Sequence, residues 1–119
     1  MPNTLAHAGV QGLATHTTVS EADLRWVYLG CVIPDVPWIL QRAANVMIPG
    51  VDPFALRAYV IIQATLLGCI VLSAAAALLA RAFWRTWALL GGNAVLHLML
   101  DAMQTKWGNG VHFLAPFSW

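Results

Sequence analysis

Charge is what this chain has least of. Asp, Glu, Lys and Arg make up 9% of its 119 residues, against 60% hydrophobic residues. A soluble domain is roughly 45–50% apolar and about 25% charged. So little charge cannot cover a water-facing surface, and the surplus apolar area must meet lipid or a protein partner. Six basic and five acidic residues leave a net charge of +1, with no polybasic run. The electrostatic footprint of a nucleic-acid-binding protein is therefore missing, which excludes nucleic acid as a partner. Cysteine is scarce too. Cys31 and Cys69 stand alone, with no CxxC spacing for zinc or dithiol chemistry, and each reads as a small buried hydrophobe. The N-terminus lacks a basic stretch followed by an unbroken apolar run, so no cleavable signal peptide is expected.

What is present is a series of apolar helical stretches. Residues 3–16 read as a short amphipathic helix in which Ala8, Gly9 and Gly12 favour close packing on another helix. Ser20-Glu-Ala-Asp23 resembles a capping box and opens a long apolar helix, with Pro34 predicting a kink and Pro37 fitting the first turn of the renewed helix. Pro49-Gly50 marks a turn. Asp52 and Pro53 then stand as N-cap and first residue of the next helix. From Ala58 to Ala80 that stretch carries no charge and reads as an unbroken transmembrane helix. Arg81 and Arg85 bracket a turn, Thr86 is a candidate cap, and a third apolar helix follows to Gln104, with Gly91-Gly92 permitting close contact. Trp84 and Trp87 suit an interfacial aromatic belt, and the arginine-bracketed loop argues for a cytoplasmic side. The tail, broken by Gly108, Gly110 and Pro116, reads as non-helical. The expectation is one all-α domain over 1–119: a membrane helical bundle with about three spanning helices, a short N-terminal helix and a non-helical C-terminal segment.

Ionisable residues inside such helices are functional candidates, because each costs about 2.5–3.5 kcal/mol to insert. Asp35 follows Pro34 at the centre of the first long stretch, where it can satisfy backbone groups freed by the kink or point into a cavity. On the third stretch Asn93, His97 and Asp101 recur every four residues and share one face. A helical HxxxD pair aims an imidazole nitrogen and a carboxylate oxygen at one point, as two ligands of a zinc-like ion must. The same pair also suits a buried hydrogen bond pinning helices together, or a proton relay, and spacing leaves all three open. His7 lies on a face of small residues, His16 among threonines, and His112 in the tail. Arg42 and Arg57 can snorkel or meet a phosphate headgroup.

Taken in order, "NTLAHAGVQG", "GCVIPDVPWIL" and "LHLMLDAMQTKWGNGVHFLAPFSW" resemble the membrane-bound metal-dependent hydrolase family of small multi-span bacterial membrane proteins. The family pattern is an early His, a Pro-Asp, a His-x-x-x-Asp, a glycine-containing turn and a Pro-Phe. Here these fall on His7, Pro34-Asp35, His97 with Asp101, Gly108 or Gly110, and Pro116-Phe117. The family is similar in turn to zinc-dependent phospholipases C and related single-strand nucleases. The resemblance implies metal ligation by His7, Asp35, His97 and Asp101, with Asp35, His97 and Asp101 as the catalytic set. It implies a divalent metal such as zinc, which lowers the pKa of a bound water toward about 7 for attack on a phosphoester or similar bond. It also implies a multi-pass place in the bacterial inner (cytoplasmic) membrane, with the lipid bilayer and other membrane subunits as partners. One departure stands out. Family members carry His-Arg-Gly-x-Thr-His-Ser between the Pro-Asp and the HxxxD, whereas this chain has "GVDPFALRAYVIIQ" there, without histidine. The alternative is therefore a non-catalytic accessory subunit of a larger membrane complex that keeps the hydrolase-like fold.

Overall fold

The computed structural model describes residues 4–103, whose regular elements are all helices, without a strand. Expectations resting on Gln104, Gly108, Gly110, His112 and Pro116-Phe117 lie outside the described residues. The helices are α1 (Thr4–His16), α2 (Glu21–Val32), α3 (Val36–Met47), α4 (Pro53–Gln63), α5 (Leu66–Ala77) and α6 (Phe83–Met103), with a single 3-10 turn, Ile33–Asp35, between α2 and α3.

Local chemistry sets most of these boundaries. Pro34 lacks the N–H that a continuing α-helix needs, and the chain tightens into the 3-10 turn there before α3 restarts with Pro37 in its first turn. Asp52 caps α4 as the sequence predicts, its Oδ1 accepting from Phe54 N at 2.9 Å. Ser20 behaves differently from a capping-box serine. Its hydroxyl donates to Asp23 Oδ2 at 2.6 Å and leaves the helix backbone uncapped by side chain. Asp23 has a second partner, since its carboxylate also pairs with Arg85 and so ties the start of α2 to the start of α6. Thr86 is not a cap. α6 begins at Phe83, and Thr86 is buried inside it with its N–H bonded to Ala82 O at 3.0 Å.

The stretch expected as one unbroken transmembrane helix is two helices. α4 and α5 meet at 71°. Thr65 makes the break: its hydroxyl donates to Ile62 O at 2.8 Å and accepts from Gly68 N at 3.2 Å, capping both halves. Gly68 is required there, because a Cβ would stand 2.3 Å from Gln63 O. Among the described residues no single helix is long and apolar enough to cross a membrane, and α4 with α5 meets that length and composition only as the bent pair. α6 has the length, 21 residues or about 31 Å. Its Asn93, His97 and Asp101 lower its apolarity.

α6 is the central element, packed against α2 on one side and α5 on another, while α1 lies mainly on α2 and reaches α6. The apolar core gathers Ile33, Cys69, Ala77, Leu90, Ala94 and Leu98. The close approach between α2 and α6 comes from Gly30, where a Cβ would meet Leu90 O at 2.7 Å and Asn93 Cβ at 3.0 Å. Gly91 has only ordinary contact with Ser73, and Gly92 faces open space, so the Gly91-Gly92 pair does not make the helix crossing expected of it. Cys31 and Cys69 are buried free thiols.

Candidate metal centre

Each residue of the site is placed by a different feature of the chain. α6 carries His97 and Asp101 one turn apart on its inner face, with His97 Nε2 and Asp101 Oδ2 3.6 Å apart. α1 lies against that face and contributes His7, whose Nδ1 stands 3.2 Å from His97 Nε2 and whose Nε2 stands 3.8 Å from Asp101 Oδ1. The 3-10 turn at Pro34 swings Asp35 inward, so that its Oδ2 lies 3.7 Å from the same His97 Nε2. His97 is 1% exposed, His7 and Asp35 5% each. All four sequence-expected residues therefore meet around one nitrogen, although they come from positions 7 to 101. The convergence is tightest for three of them: His7, His97 and Asp101 each offer a ligand atom within 4.8 Å of the others, a group that could hold a metal ion. Asp35 joins through His97.

The chemistry of this cluster is one that a cation would suit. Two imidazole nitrogens at 3.2 Å cannot aim two lone pairs at each other; a proton or a metal ion must lie between them. The rings meet edge to face, centroids 4.4 Å apart at 89°, which brings a nitrogen of one to the edge of the other. Two carboxylates also stand within 4 Å of His97 Nε2. A divalent ion would meet both carboxylates and the imidazole nitrogens at once, and a charge buried without a partner is costly. His7 meets His97 through Nδ1 and Asp101 through Nε2, and one ligand atom from each of the three residues lies within 4.8 Å of the others. Two imidazoles and a carboxylate are a donor set that zinc and related divalent ions accept. His97 Nδ1 is buried and has no hydrogen-bond partner among the described residues.

His16 sits exposed at the end of α1, away from this cluster. Arg42 and Arg57 are on the surface. Spacing left Gln11 unnoticed. It is fully buried, one turn after His7 on the same face of α1, and it contacts α6 at Asn93 and His97. The signal was present as an HxxxQ spacing mirroring the N-x-x-x-H of α6, but a neutral amide draws less notice than a charge.

The chain matches no protein-family model, no curated protein and no solved structure. The site is accordingly read from its own geometry.

Proposed function

We propose that this chain is a membrane-embedded metal-dependent hydrolase acting on a phosphoester or similar bond near the bilayer. The observation that carries the reading is the meeting of the buried His7 and His97 with the half-buried Asp101 between α1 and α6. These three would hold one divalent ion, zinc being the first candidate. When bound there, such an ion supplies Lewis-acid polarisation and makes a water more acidic. Asp35, buried beside His97 but outside the group of three, is placed to accept a proton from a water entering the site. The resemblance to the membrane-bound metal-dependent hydrolases supplies the reaction class and the placement in the bacterial inner membrane.

The distribution of residues supports the lipid setting. Among the described residues, eight polar or charged ones are buried beside nine hydrophobic ones. Outside, Leu5, Leu13, Val46, Phe54, Leu79 and Met103 are each 80–88% exposed. Polar residues inside and large apolar ones outside suit an apolar solvent.

A second reading, a non-catalytic accessory subunit of a larger membrane complex, draws on one observation: the chain has no histidine between 17 and 96, and among the described residues only His7 and His97 bring imidazoles to the cluster, His16 being exposed. The deciding experiment measures hydrolysis of an aryl phosphodiester and of phospholipid vesicles by detergent-purified protein. The hydrolase reading expects turnover that a chelator abolishes, zinc restores and His97→Ala lacks. A fully metal-loaded protein without turnover on either substrate would leave the accessory reading in its place.

A further inference from the structure

We infer that Gln11 is the positioning residue of this site: its amide locks α1 onto the turn of α6 that carries His97 and thereby sets where His7 stands. The inference rests on the metal-site reading above and adds a residue to it.

The geometry is specific. Oriented so that its oxygen meets a donor and its nitrogen meets acceptors, the Gln11 amide accepts from His97 N at 3.1 Å and donates to both Asn93 O and Asn93 Oδ1 at 3.2 Å. Asn93 O and His97 N are one residue pair of the α6 hydrogen-bond ladder, spaced i and i+4. The amide thus lies across a single rung of the helix that presents the ligand. Asn93 is itself held, its Nδ2 donating to Leu89 O at 2.8 Å, and the Cys31 sulfur packs against the Gln11 amide from α2. Gln11 is 0% exposed, so water does not compete for these bonds.

The two helices are joined by matched steps. Gln11 meets Asn93, and one turn away His7 meets His97. Both spacings are four residues, and the order runs oppositely along the two helices. His7 is the one member of the metal group that α1 contributes, so the register of α1 on α6 decides whether three ligands converge or two. Gly12, adjacent to Gln11, lets the Tyr28 hydroxyl of α2 close in at 2.7 Å from where a Cβ would be. The helix bond between His97 N and Asn93 O persists if the amide is removed, so losing Gln11 removes the α1 lock and spares α6.

The test uses Co2+ as a spectroscopic probe on the full chain in detergent, together with ring 15N spectra of the metal-free protein. Gln11→Met keeps the volume of the side chain and removes its hydrogen bonds. The expected result is a Co2+ affinity lower by tenfold to about a hundredfold, the usual cost of losing a residue that orients a metal ligand. Helicity and cooperative unfolding are retained, and the ring signature of the His7–His97 hydrogen bond disappears. A folded Gln11→Met protein with wild-type affinity and an unchanged ring signature overturns the inference. Should Gln11→Met not fold, Asn93→Ala removes one acceptor of the amide and is expected to weaken Co2+ binding at least threefold; unchanged binding overturns the inference equally. If the wild-type protein binds no Co2+, the metal-site reading fails by itself. The ring signature of Gln11→Met then decides the Gln11 lock alone, its loss supporting the lock and its persistence refuting it.

Discussion

At the level of single residues, the two carboxylates have separable duties. Asp101 belongs to the group of three with ligand atoms in mutual reach, whereas Asp35 stands beside that group, its Oδ2 3.7 Å from His97 Nε2. Asp101→Asn is therefore expected to weaken metal binding by tenfold or more. Asp35→Asn should leave the metal content near that of the wild type and lower turnover by about a hundredfold, within the range a positioned acid–base group contributes. Isothermal titration with zinc, set beside a rate measurement, separates the two; equal losses in both variants and both readouts would erase the distinction. The legibility of these residues in the sequence differed for a physical reason. His97 and Asp101 are four apart on one helix, so periodicity alone puts them on one face. His7 and Asp35 lie far away along the chain, and only their place in a family-like pattern suggested they would join. The contact that matters most, His7 to His97, depends on how α1 docks, and no local spacing encodes that. Gln11 shares a face with His7 by its spacing, but its contact with α6 depends on the same docking.

At the level of elements, caps and prolines were readable and apolarity was misleading. Asp52-Pro53 starts α4 and Pro34 breaks the helix after α2, because a missing N–H and a side-chain acceptor act within one turn. The stretch from Ala58 to Ala80 was uncharged, yet uniform apolarity carries no information about continuity. Thr65 and Gly68 interrupt it through one hydroxyl and one absent Cβ. Glycine pairs were likewise an unreliable guide, since Gly30 rather than Gly91-Gly92 makes the tight crossing. A methyl group at Gly30 would press on Leu90 O and on Asn93, one turn before His97. Gly30→Ala is expected to destabilise the fold by about 1–3 kcal/mol, as overpacking does. It should also weaken metal binding through Asn93, whereas Gly92→Ala, facing open space, should change neither. Unfolding in detergent read alongside metal titration checks both halves; a neutral Gly30→Ala would mean that α2 and α6 have room to separate.

At the level of the whole molecule, the composition already stated the central physical fact. Charged residues are 9% of the chain, and the fold buries His7, Gln11, Asp35, Asn93 and His97. A greasy exterior around a polar seam is economical only if the seam has work to do, because each buried polar group must be matched by a partner. The all-helical class followed from periodicity. The proposed lipid setting rests on the apolar exterior, as no single described helix meets the requirements of a span. The measurement that bears most directly on the seam is a metal count on protein recovered from alkaline-carbonate-washed membranes and solubilised in mild detergent. One divalent ion per chain, retained through dialysis and lost in His7→Ala and in His97→Ala, is the expected result. Metal-free wild-type protein that also takes up no zinc, cobalt, manganese or iron when these are supplied would contradict it.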